Sequence, residues 1–220
     1  MVWSAPKFFP FTIENEEFGK GGFCSAHKAT SNSPDFQRKA YVVKYFLQST
    51  KDVISELGET ELEHARKSVQ MQALAKHFAE QFDANVKKEG NEEEFGKTFR
   101  YVDTFLGIIN DSQKVVTIEE YVTSNFEKYV NNDGVLCVKK NEDQQKKAES
   151  LVHFSYIKSS KKLMLVDIQG AGYNLMDPEI ASLTGAFNDE NNFLFCAGNY
   201  SKEAFTNFLR HISAMLFPIC

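Results

Sequence analysis

The chain has 220 residues, enough for one domain or for a two-lobed domain with a real hydrophobic core. Hydrophobic residues make up 42% and charged residues 25%, which excludes a disordered chain, a collagen-like chain and a disulfide-dense miniprotein. The net charge of -5 comes from 25 Lys+Arg against 30 Asp+Glu, and no basic face is concentrated anywhere, so phosphate neutralisation on nucleic acid is not expected. Twenty phenylalanines point to an aromatic-rich core. No stretch reaches the roughly 18 apolar residues that cross a bilayer, and the first residues lack the pattern of a signal peptide, so no membrane association is expected. The four cysteines, Cys24, Cys137, Cys196 and Cys220, are scattered, which suits reduced thiols and a cytoplasmic location.

In chain order, residues 39–47 are rich in β-branched and aromatic residues and predict a strand. Over 59–86, Leu62, Ala65, Val69, Ala73, Leu74, Phe78, Phe82 and Val86 recur at three- and four-residue spacing and predict a long helix. Residues 98–109 and 115–122 read as two strands joined by a turn at Asn110, Asp111 and Ser112. A second helix is expected over 143–156, with Ala148, Leu151, Val152 and Tyr156 on its buried face. The apolar run 162–168 reads as a buried strand ending in Asp167. Residues 202–217 predict a last amphipathic helix with Phe205, Phe208, Leu209, Ile212 and Leu216 inward. The pattern is that of an α+β fold with two lobes.

Four groups of residues carry candidate chemistry. The first is FGKGGFCSAHKA at 18–29, where Gly19, Gly21 and Gly22 lie between strand-like stretches. Such a turn lets backbone N–H groups approach a phosphate. Lys44 follows on the 39–47 strand among Val42, Val43 and Phe46. A lysine so embedded needs a partner, either a nucleotide phosphate or, if it snorkels at a strand edge, water. The second is DIQGAGYNLMDPEI at 167–180. If the chain stays extended, Asp167 and Gln169 point to one side. Gly170 and Gly172 permit a reversal that returns Asp177 to them. Two carboxylates and an amide oxygen brought together suit Mg²⁺, which bridges phosphate oxygens in phosphoryl transfer. The alternative is a turn followed by an Asp-Pro helix start. Glu119 and Glu120 end the 115–122 strand and read either as groups presented to an adenine edge or as surface glutamates on an edge strand. His153 and His211, on predicted helices, are either zinc ligands or core histidines.

Five segments in order, YVVKYF, SVQMQALAKHFAEQF, IEEYVTSNFEKYVNNDG, LVHFSY and DIQGAGYNLMDPEI, resemble the alpha-kinases, a family of atypical protein kinases. The resemblance runs from about Phe18 to His211. It implies one catalytic domain over 1–220, with an N-terminal lobe to about residue 120, a C-terminal lobe from about 121, and a nucleotide cleft between them. It implies an ATP- and Mg²⁺-dependent enzyme that phosphorylates Ser or Thr of a protein substrate. Lys44 then resembles the lysine on the nucleotide phosphates, Glu119 the hinge residue at the adenine, and Gly21 and Gly22 the phosphate loop. Asp167 resembles the catalytic carboxylate, and Gln169 and Asp177 the metal and phosphate ligands.

The sequence also departs from the family. Cys24 stands where the family has an arginine, and Ser201 and Ala204 replace glycines of a late loop. Ser213 and Phe217 stand where closing zinc thiolates are expected, which leaves His153 and His211 as a zinc remnant and argues against a zinc of the family type. These departures keep open an alternative, a weak or inactive kinase-like nucleotide-binding module.

Overall fold

The computed structural model describes residues 3–36, 39–137, 142–182 and 201–216, with side chains placed in the last stretch from 202 to 211. In chain order the elements are β1 (Thr12–Lys20), β2 (Cys24–Thr30), β3 (Ala40–Phe46), α1 (Gln48–Glu56), α2 (Glu61–Lys88), α3 (Glu92–Phe95), β4 (Arg100–Tyr101) and β5 (Thr104–Ile108). They continue with β6 (Val115–Glu120), β7 (Phe126–Lys128), α4 (Glu142–Lys158), β8 (Leu163–Val166), β9 (Gln169–Ala171), β10 (Asn174–Leu175), β11 (Glu179–Ser182) and α5 (Ser201–Leu216). The chain divides into two compact units, Met1–Gln70 with Asp103–Val122, and Met71–Val102 with Thr123–Cys220.

The first unit is built on a five-stranded sheet in the order β1-β2-β3-β6-β5, all antiparallel. β-branched and aromatic residues drive β3 into its interior, where Tyr41, Val42 and Val43 are buried. The small core explains part of the phenylalanine excess. Phe36 lies at its centre and meets the rings of Phe9, Phe11, Tyr41 and Phe105 in edge-on geometry at centroid distances of 4.8 to 5.4 Å. Each such pair adds about 1 kcal/mol beyond its buried area.

α2 begins with a capping box. The Thr60 N–H donates to Glu63 Oε2 at 2.8 Å and the Glu63 N–H donates to Thr60 Oγ1 at 3.2 Å, so two donors without helical partners are satisfied reciprocally. It ends at Gly90, whose φ of 73° closes the helix with N–H bonds back to Lys87 and, from Asn91, to Val86. The expected stripe is present. Ala65, Val69, Phe78, Phe82 and Val86 are buried, while Leu62, Ala73 and Leu74 are half-buried.

In the second unit, the later part of α2 packs in one core with Ala148, Leu151 and Val152 of α4, all of β8, and Phe205 and Phe208 of α5. Tyr156 and Leu209 are only partly buried against that core. The side chains of Ile212 and Leu216 lie outside the described residues. A four-stranded sheet runs β4-β10-β9-β7, and β8 pairs with β11 alone.

The structure corrects three expectations. Residues 98–109 do not form one strand. β4 pairs with β10 in the second unit and β5 pairs with β6 in the first. The break falls at Val102, whose N–H donates to Leu175 O and whose carbonyl accepts from Gln72 Nε2, so its backbone is spent before the next strand begins. α1 was not expected. It lacks a side-chain N-cap at Leu47 and so carries no start signal. The Asp177-Pro178 step opens strand β11 rather than a helix.

Candidate functional site

The first unit holds Lys44 and Glu119. In the β3–β6 ladder Lys44 faces Thr117 and Glu119 faces Val42, so the two side chains are diagonal neighbours on one face. The Lys44 Nζ lies 2.7 Å from Glu119 Oε1, with side chains only 13% and 4% exposed. β3 and β6 are both interior strands, so neither residue sits on a sheet edge. The edge readings of Lys44 and Glu119 are therefore corrected. Glu119 is the buried counter-charge of Lys44, while Glu120 faces Lys39 at 3.3 Å. A lysine pinned by a buried carboxylate is fixed in direction.

The glycine loop joins β1 to β2. The Gly21 N–H donates to Cys24 O at 2.9 Å, so this amide closes the turn. Phe23 O at the base accepts from the Leu47 N–H and from Thr50 Oγ1. A side chain at Gly22 would meet open space.

The second unit holds the other cluster. Asp167 follows β8 with φ 53°, a left-handed conformation, so the chain is not extended through Asp167-Ile168-Gln169 as expected. The side chains meet all the same. Gln169 Nε2 donates to Asp167 Oδ2 at 3.0 Å and to Asp177 O at 3.2 Å. Both amide hydrogens are thereby spent, and Gln169 Oε1 is left as an acceptor. β9 and β10 form the reversal, with Gly172 at φ 61° in the turn. Gly170 is required there, because a Cβ would stand 2.1 Å from Asn174 O.

Two further residues at this site escaped the sequence reading. Lys128 on β7 lies directly across from Gln169 and forms an ion pair with Asp167 Oδ1. Its only sequence signal was its place in the FEKY segment. Glu179 opens β11 opposite Val166, the residue before Asp167. Burial raises the Asp167 carboxyl above the ordinary carboxylate range, and the hydrogen bond and charge of Lys128 oppose that rise. Burial, and then the charges of Asp167 and Asp177, push Glu179 up to about 7. The result is an acidic site, one of whose members is poised near neutrality.

The zinc remnant is not assembled. His153 is exposed on α4, and His211 Nε2 lies 3.4 Å from Glu149 Oε2. No group of three or more His, Cys, Asp or Glu is placed to hold a metal ion among the described residues, and Cys220 lies outside them. The late stretch 198–205 is described only from Ser201, where it opens α5. Ala204 there is buried against Gly134, whose α-carbon has no room for a side chain. Among the described residues, no helix is long and apolar enough to cross a membrane.

Comparison with known proteins gives the same picture from outside. The chain is 30% identical over 143 residues to myosin heavy chain kinase B of Dictyostelium discoideum, covering 64% of this chain and 17% of that protein. It is 25% identical over 202 residues to the transient receptor potential cation channel subfamily M member 7 of Rattus norvegicus, covering 89% of this chain and 10% of the channel. The chain thus spans under a fifth of the length of these relatives. Among solved structures it matches the alpha-kinase domain of myosin heavy chain kinase A in complex with ADP, at TM-score 0.64 and 18% identity over 91% of this chain and 82% of that one. The complex of the same kinase with AMP-PNP matches at TM-score 0.66 and 17% identity, over 92% and 82%. These likenesses show a shared α+β fold. The alpha-kinase family pattern matches residues 19–214, which takes in both charged clusters, and the chain therefore belongs to the alpha-kinase family.

Proposed function

We propose that the chain is an ATP- and Mg²⁺-dependent protein kinase that transfers the γ-phosphate to Thr or Ser of a protein substrate. The observation that carries the reading is the arrangement around Gln169, where one amide ties together Asp167 and the Asp177 backbone. Structures of a related kinase hold ADP and AMP-PNP, which supports a nucleotide as the first substrate.

Lys44, held by Glu119, would place a fixed positive charge on the nucleotide phosphates. Gln169 Oε1 and the Asp177 carboxylate are hard oxygen donors on either end of a glycine turn and fit Mg²⁺, which commonly binds through one or two carboxylates plus substrate phosphates. When bound, the ion would neutralise charge on the phosphate oxygens. Asp167 would accept the proton of the acceptor hydroxyl. The hydroxyl oxygen forms its bond to the γ-phosphorus, the bond to the β-phosphate oxygen breaks, and ADP leaves. Burial brings the Asp167 carboxyl closer to neutral pH while Lys128 favours its ionised form, and both suit a proton acceptor. The scattered spacing of the four cysteines in the sequence supports a cytoplasmic site of action.

A second reading, a kinase-like module that binds nucleotide and transfers phosphate poorly, is favoured by one feature. The Gly21 amide is given to Cys24 O, and Cys24 itself carries no permanent charge. Two measurements decide. ATP with Mg²⁺ should raise the thermal midpoint, and the protein should label a threonine-rich acceptor that Asp167→Ala leaves unlabelled. A midpoint shift without any labelling would favour the module, and no shift at millimolar ATP would overturn both readings.

A further inference from the structure

Packing does little to hold the loop between β1 and β2. Gly21, Gly22 and Phe23 are all exposed, the Phe23 ring to 69%, and a Cβ at Gly22 would meet no other part of the chain within 4 Å. Two adjacent glycines also give this backbone more freedom than any other pair of residues would. Hydrogen bonds do the holding. The Gly21 N–H donates to Cys24 O at 2.9 Å and closes the turn from within. The Phe23 carbonyl ties the turn to the rest of the unit, because it accepts from the Leu47 N–H at 2.9 Å and from Thr50 Oγ1 at 2.7 Å.

The two donors differ in kind. The Leu47 bond extends the β2–β3 ladder by one residue past the Cys24–Phe46 pair. Thr50 is the third residue of α1 and is 4% exposed. A helical threonine commonly turns its hydroxyl back onto a carbonyl of its own helix. This one instead donates to a carbonyl 27 residues earlier in the chain. A carbonyl oxygen has two lone pairs, and the two donors fill both. β3 carries Lys44 and runs on through Leu47 into α1, so the lysine and the anchor of the loop share one short stretch of chain.

We propose that Thr50 is a positioning residue for nucleotide binding. Its hydroxyl holds the Gly21–Phe23 backbone in the shape that receives the nucleotide phosphates, so the loop is ordered before the ligand arrives. The inference rests on the kinase reading above, in which this loop meets the phosphates. Thr50 is too buried to touch the nucleotide, so its effect passes through Phe23 O. A loop ordered in advance spares the ligand the cost of ordering it, in the ground state and the transition state alike. Loss of the bond therefore raises KM and leaves kcat in place.

Thr50→Val keeps the branched shape and removes the hydroxyl, and Thr50→Ser keeps the hydroxyl. Because the Leu47 bond stays in both, neither should move the thermal midpoint of the nucleotide-free protein by more than about 4 °C. Thr50→Val should weaken ATP·Mg²⁺ about threefold to tenfold, read as KM and as the dissociation constant by titration calorimetry, with kcat within about twofold of wild type. Thr50→Ser should stay within about twofold of wild type on every count. Amide hydrogen exchange over residues 21–24 should quicken in Thr50→Val and not in Thr50→Ser. A merely structural hydroxyl would move the midpoint and leave ATP affinity and the loop amides untouched. Unchanged ATP affinity in Thr50→Val, or an equal loss in Thr50→Ser, overturns this inference and leaves the kinase reading standing. A Thr50→Val protein that does not fold overturns it too, since the hydroxyl would then hold the unit rather than the loop. A wild type that binds no ATP at millimolar concentration sinks the kinase reading, and the role of Thr50 with it.

Discussion

Glu179 offers a quantitative test of the electrostatics at the second cluster. Its carboxyl stands at about 7 against an ordinary 4.5, because burial and the charges of Asp167 and Asp177 disfavour its ionised form. The sign follows from linkage. Below pH 4.5 the group is protonated in both folded and unfolded chains and costs nothing. As the pH rises toward 7 the unfolded chain ionises freely while the folded one resists, so stability falls through that window. Above pH 7 the accumulated cost is about 3 kcal/mol, a large share of the usual 5–15 kcal/mol of a folded domain. Glu179→Gln keeps the size and removes the ionisation. Urea unfolding of both proteins at pH 5 and pH 8, with a chelator present, should show the variant gaining about 2–3 kcal/mol on the wild type between the two conditions, at equal m-values. A gap that is the same at both pH values would refute the reasoning, because it would mean that Glu179 does not resist ionisation in the folded protein.

Glu119→Ala should destabilise the first unit by about 3 kcal/mol in chemical denaturation, since it strands the Lys44 ammonium, and Lys44→Met added to it should restore part of that loss. Gly170→Ala should lower the thermal midpoint sharply, because its Cβ would stand 2.1 Å from Asn174 O, whereas Gly22→Ala should leave the midpoint unchanged. Asp177→Ala should abolish the Mg²⁺-dependent part of the ATP-induced midpoint shift and retain any Mg²⁺-independent part, as read by thermal unfolding with and without chelator.

What the sequence made legible was local. The spacing from Leu62 to Val86 predicted α2, and the β-branched and aromatic residues around Val43 predicted β3, because each signal lies within one element. The turn through Asn110 and Asp111 was readable from its polar residues, and it does join β5 to β6. The glycines of DIQGAGYNL carried the reversal that returns Asp177 to Gln169, so three site residues could be grouped without a structure. What could not be read depends on pairing across distance. Lys128 reaches Asp167 only because β7 happens to pair with β9 in a register that sets Lys128 against Gln169. Glu179 reaches the same place through β11 and β8. The counter-charge role of Glu119 needed β6 to lie beside β3 rather than at an edge. The left-handed Asp167 also escaped, since an aspartate in that conformation carries no glycine to announce it.

The chain passes between its two compact units three times, at residues 70, 102 and 122. Neither unit is a contiguous stretch, and no single cut yields two pieces that each contain a whole one. β3 meets β6 only after all of α2 has been synthesised, so on the ribosome the first sheet must wait half-built, with one side of β3 uncovered. A fragment ending after Gln70 would carry Lys44 without Glu119, a buried cation with its carboxylate still to come. Such a fragment should aggregate or bind chaperones rather than fold. Proteolytic dissection, the usual route to separate lobes, should fail here for reasons of chain path alone.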